Sequence, residues 1–432
     1  MNGRNSLDRE LHIKGFVAMD PKVFSRENRT DQSKDSDYIL VGGGLQSGLM
    51  ALAIAHHRPE ADVILIEQNS MLAGNHTWSF HATDLVADCA PWADLLVESR
   101  WPGYHVRIGN RTRSISIPYC TCSSSHFNAV LTQRASDSRL RILTDTKVEA
   151  IDSDGVLLGD GQRLSAPVVI DNRGATPLDA NQYSGGFQKF WGFELKLNRD
   201  WPHTNPIVMD DQIDQQDGFR FIYSLPMETR RVLVEDTRFS NNPSIDRDDC
   251  WEKVRAYVES QGCHDWQVIR EEHGVLPMPM AGSMPGTGLP GLAGGYRGGW
   301  FHAATGYSFP LALQVAHTVA TYPGSELSDQ LHKLSTEHAW RAHFARFLNR
   351  LLFELVKPQT RYQIFRRFYR VLDQAAIGRF YGHRFTRWDA FRIVVGFPPM
   401  GLRPMNFLRS FSKRSTYQIP TQPSTQSLKV PG

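Results

Sequence analysis

The sequence predicts an α/β protein in which a nucleotide-binding α/β unit is interrupted by an antiparallel sheet and followed by a helical region. Three observations support this fold class: a strand, glycine turn and helix after residue 37, alternating aromatic strands between residues 187 and 239, and amphipathic helical patterns after residue 336. A chain of 432 residues exceeds the usual size of a single hydrophobic core. We therefore expect interlocked domains.

Shifts in composition predict the domain boundaries. The polar residues 1–36 predict a disordered leader, and the Ser-, Thr-, Pro- and Gln-rich residues 411–432 predict a disordered tail. Between them we expect four segments: a nucleotide-binding segment at 37–180, a substrate-binding sheet at 181–290, a returning nucleotide-binding segment at 291–335 and a helical region at 336–410.

Overall composition argues against several classes of protein. The net charge of +3 is too small to attract nucleic acid over the whole surface. Five cysteines without a C-x-x-C pair predict neither a disulfide framework nor a zinc site, so we expect no metal and a reducing, cytoplasmic compartment. No apolar run approaches the ~18 residues of a membrane-spanning helix, so we expect a protein that is soluble or rests on a membrane surface.

The first nucleotide-binding signal is a strand, glycine turn, helix, strand and acid in succession. An apolar run at Tyr38–Val41 precedes the glycines, and a second run at Val63–Ile66 ends in Glu67. Glycines let the backbone approach a pyrophosphate at a helix N-terminus, and the acid accepts hydrogen bonds from a ribose. Ser47 replaces the third glycine of the G-x-G-x-x-G pattern, but it is small enough for close packing. The alternative is an ordinary glycine-rich turn before a core helix. The predicted cofactor-binding residues here are Gly42, Gly43, Gly44, Gly48 and Glu67.

Two further segments are expected near the bound nucleotide. An apolar strand at residues 167–170 ends in Asp171, Arg173 and Gly174, which we assign to a flavin-type cofactor site; a plain strand and turn is the alternative. The loop at residues 74–81 contains His76 and Trp78 and is expected to cross the reactive end of the cofactor. The alternative for this loop is a structural one without cofactor contact, in which Trp78 is buried in a local core and His76 lies on the surface.

Three segments predict the antiparallel sheet: residues 187–197, 219–225 and 230–239, along which aromatic and β-branched residues alternate. Such a sheet offers an apolar wall, which includes Phe221, to a flavin or substrate. Residues 271–279 contain a glycine and two prolines, and we predict a loop there.

The candidate acid is Glu235, at the end of an apolar strand. With a period of two, Glu235 and Thr237 share one face of the strand, whereas Asp236 and Arg238 share the other. Burial and the like charge of Asp236 would both raise the pKa of Glu235, and a carboxylic acid that stays protonated near neutral pH can act as a Brønsted acid. An ion pair of Glu235 with Arg238 or Arg231 on the sheet surface is equally compatible with the pattern.

The last region is basic and aromatic. Residues 337–404 carry 13 Lys or Arg against 4 Asp or Glu. Helical patterns at 348–355, 364–372 and 388–395 have basic edges, which suits the headgroup level of an anionic bilayer. We favour a helical cap with one membrane-facing surface over a cap with solvated arginines, and no motif supports nucleic-acid binding.

Several sequence blocks, in one order, carry a resemblance to a known family. From about residue 37 to 404 the chain resembles the bacterial lycopene β-cyclases of carotenoid biosynthesis. The resemblance depends on the blocks at residues 41–45, 74–81, 169–174, 214–218, 234–237, 274–277 and 301–308.

The resemblance implies a Rossmann-like FAD-binding flavoprotein fold with an inserted antiparallel sheet and a C-terminal helical region. The implied reaction is acid-catalysed cyclisation of the ψ-ends of lycopene to β-rings, through γ-carotene to β-carotene, without net redox change. Reduced FAD is the implied cofactor and NAD(P)H the implied reductant, with carotenoid substrates and peripheral contact with the inner face of the cell membrane.

By position within the blocks, Glu235 inherits the role of the essential acid. Asp236 is assigned a role next to Glu235, either in returning the proton or in changing the acidity of Glu235. The resemblance also suggests flavin contacts for Thr305, Gly306 and Tyr307. The alternative functions are an FAD-dependent monooxygenase or reductase acting on an isoprenoid, and a peripheral membrane scaffold that binds a nucleotide only for stability.

Overall fold

The computed structural model describes residues 35–175, 184–282 and 291–395. The predicted tail and nearly all of the predicted leader lie outside these residues. In the first range the strands and helices are, in chain order, β1 (Tyr38–Val41), α1 (Leu45–His57), β2 (Val63–Ile66), β3 (Thr77–His81), α2 (Ala90–Ala93), β4 (Ser99–Trp101), β5 (Tyr104–Arg107), β6 (Thr112–Ile115), β7 (Tyr119–Ser123), α3 (Ser124–Asp137), β8 (Leu140–Leu143), β9 (Val148–Ile151), β10 (Gly155–Leu158), β11 (Arg163–Ser165) and β12 (Val168–Asp171).

The second range contains β13 (Gly185–Leu197), β14 (Ile207–Asp210), β15 (Phe219–Glu228), β16 (Arg231–Ser240), α4 (Arg247–Ser260) and β17 (Trp266–Pro279). The third contains β18 (Leu292–Ala293), α5 (Phe309–Thr321), α6 (Leu327–Arg350), α7 (Tyr362–Val371), α8 (Gln374–Tyr381) and α9 (Arg387–Val394).

A five-stranded parallel sheet in the order β18-β12-β1-β2-β8 forms the core of the segment predicted to bind a nucleotide. Side chains of β1 alternate between two apolar clusters. Tyr38 and Leu40 pack with α1 and α5, whereas Ile39 and Val41 pack against the small antiparallel sheet β9–β11. Because both faces of β1 are covered, all four of its residues are apolar and its sequence shows no alternation with polar residues.

Parallel pairing brings three strand ends to one edge of this sheet. Val41, the last residue of β1, lies opposite Asp171 of β12 on one side and Ile66 of β2 on the other. The glycine turn therefore lies between the segments that follow β12 and β2. Ligands of open α/β sheets bind at such carboxyl ends.

A seven-stranded sheet in the order β17-β13-β16-β15-β14-β5-β6 forms the second layer. It is antiparallel except between β14 and β5. Its core strands β13, β15 and β16 match the three strands predicted from alternation. Phe193 and Val234 face α4, whereas Phe221 and Leu233 face the C-terminal helices.

Strand β17 corrects the prediction of a loop at residues 271–279. The whole segment pairs with β13, and Pro277 and Pro279 lie opposite Phe187 and Gly185. Proline cannot donate a hydrogen bond to a second neighbouring strand, but β17 is an edge strand and has only one neighbour. Prolines are therefore compatible with this strand.

The C-terminal helices cover one end of the large sheet. The helix predicted from residue 348 begins at Leu327 instead, and α6 continues into a π-helical turn at Leu351–Leu355. The buried side of α6 mixes the apolar residues Leu327 and Leu331 with polar ones such as Ser335, His338 and Asn349, so the apolar pattern of its N-terminal part is interrupted. None of the helices in the described ranges combines the length and hydrophobicity that crossing a bilayer requires.

Candidate active site

A cavity of about 970 Å³ lies between the large sheet, β3, the loop before α5 and helices α6 to α9. Small-molecule sites typically enclose roughly 300–1,000 Å³, so this cavity is at the large end of the range. Most of its wall is aromatic or aliphatic. Seven residues selected from the sequence line it: His76, Trp78, Phe221, Glu235, Thr305, Gly306 and Tyr307.

Glu235 belongs to a row of residues that crosses the large sheet. Tyr223 of β15 lies opposite it on one side and Gly192 of β13 on the other, and Glu272 of β17 lies opposite Gly192. Directly opposed residues project to the same face of a sheet. A Cβ on Gly192 would lie only 2.7 Å from Cγ of Glu235, so the glycine provides the space that the Glu235 side chain occupies. The carboxyl groups of Glu235 and Glu272 form a hydrogen bond in this space.

The pKa of Glu235 lies well above its ordinary value. Burial is the largest cause, and the charge of Glu272 and the hydrogen bond to it add to the effect, while the charge of Arg270 opposes it. Glu235 is partly accessible only because it borders the cavity. The carboxyl therefore stays protonated to higher pH than a glutamate in water.

Glu272 is the member of the pair that contacts a cation and a hydroxyl donor. Its carboxylate forms an ion pair with Arg270 and accepts a hydrogen bond of 2.8 Å from Oγ1 of Thr77. Arg270 donates to Oγ1 of Thr77 and to Glu194, each at 2.7 Å. Burial alone would lower the pKa of Arg270, but Glu272 and Glu194 raise it, so the guanidinium stays charged. The proton of the carboxyl pair consequently belongs to Glu235.

Asp236 lies on the opposite face of β16, against α4. It is fully buried, and its carboxylate accepts hydrogen bonds from Nε of Arg220 and Nη2 of Arg238, both at 2.9 Å. Asp249 of α4 contacts both arginines. The expectation that Asp236 lies in the site and raises the pKa of Glu235 is corrected: the like charge beside Glu235 is Glu272, and Asp236 joins the sheet to α4.

The surface partners considered for Glu235 are engaged elsewhere. Arg238 pairs with Asp236, at 2.9 Å. Arg231 pairs with Glu194 and, at 3.1 Å, with Glu228. The ion-pair alternative for Glu235 is therefore not what the structure shows.

Hydroxyl groups lie beside Glu235 in the cavity wall. Tyr223 donates to Oγ of Ser79 at 2.7 Å, and its hydroxyl lies 3.2 Å from that of Tyr119. Burial is the largest cause that raises the pKa of both tyrosines. Both phenols stay protonated, and their hydroxyls are already hydrogen-bonded to protein groups.

The glycine turn after β1 forms a cradle for an anionic group. Gly42 has a φ of +100°, and a Cβ there would lie 2.9 Å from the backbone oxygen of Asn172. A Cβ on Gly44 would meet nothing within 4 Å, so the space before α1 is open. Helix α1 begins without a side-chain cap and without an acid in its first turn. Its free N–H groups and positive dipole end fit the pyrophosphate of a dinucleotide.

Glu67 closes one side of this cradle. Its carboxylate accepts hydrogen bonds from the N–H groups of Gly43 at 2.6 Å and Asn69 at 2.9 Å. A Cβ on Gly43 would lie 2.9 Å from Cβ of Glu67, so this glycine allows the close approach. An acid at this place suits the hydroxyls of a ribose. The assignment of Glu67 and Gly43 to the cofactor stays a prediction.

The end of β12 closes the other side. Asp171 accepts hydrogen bonds from Nε and Nη2 of Arg173, both at 2.9 Å, and forms an ion pair of 3.1 Å with Arg297. Burial would raise the pKa of Asp171, but these arginines lower it. Gly174 has a φ of +53° and open space around its Cα. Asp171, Arg173 and Gly174 thus lie at the same sheet edge as the glycine turn.

Gly48 has a packing role in the structure. A Cβ there would lie 2.0 Å from Cζ of Phe127 and 2.9 Å from Leu131, both on α3. Ser47, the departure from the glycine pattern, is fully buried and accepts a hydrogen bond of 2.9 Å from Asn172. Gly48 is therefore placed between two helices instead of in the cradle, contrary to the expectation of cofactor contact.

A second helix N-terminus borders the cavity. Helix α5 also begins without a side-chain cap and without an acid in its first turn, and Ser308 and Phe309 at its start line the cavity. Just before it, the hydroxyl of Tyr307 donates to Asp84 at 2.8 Å. The N–H of Ala73 donates to the oxygen of Gly43 at 2.9 Å, and His76 shortly after it lines the cavity. The cradle and the cavity are thus connected by one short segment.

Sequence reasoning missed the partners of Glu235. Glu272 and Arg270 lie in the segment whose end was predicted as a loop, and Thr77 has no distinctive sequence context. Gly192 carried a usable signal, because a glycine inside an aromatic strand often marks a close approach of another group.

Comparison with known proteins identifies the family of the chain. The family described as lycopene cyclase protein matches residues 37–407. A lycopene β-cyclase of Pseudescherichia vulneris is 38% identical over 372 residues, which covers 85% of this chain and 95% of the relative. A lycopene β-cyclase of a Paracoccus species is 37% identical, with coverage of 85% and 95%.

Solved structures show the same fold at low identity. A geranylgeranyl bacteriochlorophyll reductase-like protein of Thermoplasma acidophilum superposes with a TM-score of 0.57 at 13% identity, over 83% of this chain and 95% of that one. A probable FAD-dependent monooxygenase of Pseudomonas aeruginosa superposes with a TM-score of 0.54 at 14% identity, over 76% and 98%. The predicted Rossmann-like flavoprotein fold is confirmed. With the family match across nearly all of the described residues, the chain belongs to the lycopene cyclase family.

Proposed function

We propose that this protein is a lycopene β-cyclase in which Glu235 is the Brønsted acid that starts ring closure. The observation that carries the proposal is a glutamate in the wall of a largely apolar cavity, beside a second carboxyl group, where burial raises its pKa. An alkene is a very weak base, so its protonation needs an acid placed directly against it and shielded from water. Burial of Glu235 in the wall of a largely apolar cavity supports this role.

The reaction requires one proton to be given and one to be taken back. The Glu235 carboxyl transfers its proton to the terminal double bond of the polyene and leaves a tertiary carbocation. The electron pair of the next double bond closes the six-membered ring and moves the positive charge within it. Loss of a ring proton then forms the β-ring double bond, so substrate and product have the same composition.

The cavity wall protects the cation from capture by water. Trp78 and Phe221 present aromatic faces, which attract a cation. The hydroxyls of Tyr119 and Tyr223 bond each other and Ser79, so their oxygens are not free nucleophiles. The negative charge of the carboxyl pair, left after proton transfer, attracts the cation more strongly in this low-dielectric space than it would in water.

The cradle residues fit FAD, with Gly42, Gly43 and Gly44 at the pyrophosphate and Glu67 at the ribose. Thr305, Gly306 and Tyr307 would then contact the flavin end, beside the cavity. When bound in its reduced form, with NAD(P)H as the reductant, FAD would supply electron density next to the ring-forming carbons. The arrangement of two uncapped helix N-termini along this path supports the assignment.

Glu235→Gln tests the acid role, because glutamine keeps the shape of the side chain and cannot donate a carboxyl proton. In lycopene-accumulating cells the wild type should form β-carotene of unchanged mass, and the variant should form less by about 10²–10⁴-fold. Bound flavin and melting temperature serve as controls and should not change. Undiminished ring formation by the variant would remove Glu235 from the mechanism, and an oxygenated product would indicate a monooxygenase.

We also propose that the C-terminal helices rest on a lipid bilayer. Trp388, Phe391 and Val394 on α9 are exposed, and Val394 also lines the cavity. Arg366 and Arg370 of the neighbouring helix α7 also line the cavity. An apolar surface with arginines beside a cavity opening suits the uptake of a water-insoluble polyene from an anionic membrane.

Vesicle flotation tests the membrane proposal. The wild type should float with vesicles of anionic and neutral phospholipid, and the double variant Trp388→Ser/Phe391→Ser should float less. Leu95→Ser removes an equally exposed apolar side chain from another surface and is the matched control. Equal flotation of both variants would exclude α9 as the contact surface.

A further inference from the structure

Glu272 has a part in the proposed reaction that the sequence did not indicate. We propose that Glu272 is a positioning residue: it accepts the hydrogen bond of the Glu235 carboxyl, fixes its direction above Gly192, and supplies a standing negative charge beside the reacting carbons. The inference rests on the proposed cyclase function.

The geometry leaves little freedom to either carboxyl. Three adjacent strands set the order Glu235, Gly192, Glu272 across the sheet, and only the missing side chain of Gly192 lets the two outer side chains meet. Thr77 and Arg270 hold Glu272 from the far side, through bonds to its carboxylate. Glu272 is almost completely buried, so water does not compete for these bonds. Its carboxylate is therefore a fixed acceptor for the proton of Glu235.

The carboxyl pair can both supply the proton that starts the reaction and take back the proton that the ring loses. Before reaction the two carboxyls share one proton and carry one negative charge. Transfer to the polyene leaves two carboxylates opposite one carbocation, with Arg270 still paired to Glu272. The ring proton then returns to Glu235, the member of the pair that lines the cavity. The pair ends as it began, and no outside acid or base is consumed.

Four other titratable groups around the pair keep one ionisation state near neutral pH. The groups that face it from neighbouring elements are Arg270 on β17, Tyr223 on β15, Tyr119 on β7 and His76 before β3. Burial raises the pKa of both tyrosines. Burial also lowers the pKa of His76, and the charge of Glu272 opposes part of that lowering. The alkaline loss of activity therefore reports the carboxyl pair itself.

Glu272→Gln is the decisive variant. It removes the negative charge but keeps an acceptor, so Glu235 should lose its proton at lower pH than in the wild type. We expect the alkaline limb of kcat to move to lower pH, and kcat near neutral pH to fall by about 10- to 100-fold with little change in KM. Glu271→Gln is the matched control, since Glu271 is the next residue on β17 and bonds Trp191 at 3.1 Å and Arg247 at 2.9 Å.

A spectroscopic measurement separates this effect from a general loss of activity. The infrared carbonyl band of the protonated Glu235 carboxyl, identified by its absence in Glu235→Gln, should disappear at lower pH in Glu272→Gln than in the wild type. If Glu272→Gln does not fold, Glu272→Asp keeps the charge for Arg270, withdraws it from Glu235, and should shift the band in the same direction by less.

The outcomes separate this inference from the function on which it rests. A wild type that forms no β-ring would refute the proposed function. A cyclising wild type whose pH profile and carbonyl band are unchanged in Glu272→Gln, or in Glu272→Asp if that variant is needed, would overturn only the role of Glu272. An equal shift in Glu271→Gln would show a nonspecific effect of charge on β17 and would also overturn it.

Discussion

Asp236→Asn tests whether one face of β16 contributes to stability and the other to activity. We expect the face that carries Asp236 to affect stability and the face that carries Glu235 to affect activity. The substitution removes one negative charge and changes the shape of the side chain very little. Arg220, which is fully buried, and Arg238 would then keep only Asp249 as a counter-charge. The cavity, on the other face of the strand, should be unaffected.

The expected magnitude follows from burial. Removing one partner of a buried ion pair costs about 3–5 kcal/mol, because the remaining charge stays away from water without compensation. For a chain of this length each kcal/mol corresponds to about 1–2 °C, so the melting temperature should fall by on the order of 5 °C. Glu235→Gln replaces a protonated carboxyl with a neutral amide, and its stability should change by less than about 1 kcal/mol.

Two assays on one set of proteins measure stability and activity separately. Circular dichroism follows thermal unfolding, and product formation is measured well below the unfolding temperature. We expect Asp236→Asn to be less stable but active when folded, and Glu235→Gln to be stable but inactive. An Asp236→Asn protein with wild-type stability and no activity would refute the assignment of the two faces. The acid would then have to be sought around Asp236.

Three further predictions concern single groups. Gly192→Ala should displace the Glu235 side chain, since the new Cβ would lie 2.7 Å from its Cγ, and product formation should fall while the fold is kept, as judged by circular dichroism. Gly44→Leu should fill the open space before α1 and release the flavin, which the visible absorbance of the purified protein measures. Burial raises the pKa of Asp84 to about 6, so the folded state binds its proton more tightly than the unfolded chain does. The stability that this proton adds is present below about pH 4 and should be lost, by about 3 kcal/mol in total, as pH rises from about 4 to about 6. Urea unfolding at about pH 4 and about pH 7 should show this loss in the wild type and not in Asp84→Asn.

The nucleotide-binding edge can be predicted from the sequence because its signals are local. The runs of β1 and β2, the glycines between them and Glu67 follow one another along the chain, and parallel pairing brings them together. Gly48 shows the limit of the pattern. Motif spacing places it near the cofactor, but its space is taken by Phe127, a contact with a later helix that no local pattern contains.

The sequence points to Glu235 as a candidate acid, but it does not predict the environment of that carboxyl. Strand alternation correctly separates the faces of Glu235 and Asp236. The identity of the like charge depends on the register of β13 between β16 and β17, a property of three strands together. The prolines of β17 also argue for a loop unless the strand is known to lie at an edge, which only the complete sheet reveals.

A raised pKa keeps Glu235 protonated, but it also makes Glu235 a weaker acid. The free energy by which the site stabilises the carbocation must therefore exceed the free energy that the raised pKa adds to proton transfer. Both effects have the same source. The low dielectric and the charge of Glu272 disfavour a second anion before reaction, and they strengthen the attraction of that anion for a cation once the proton has moved. The carboxyl pair therefore holds its proton firmly when no alkene is present. In the proposed reaction the pair would release the proton only where the resulting cation lies close to both carboxylates, which would limit proton transfer to a correctly seated polyene end.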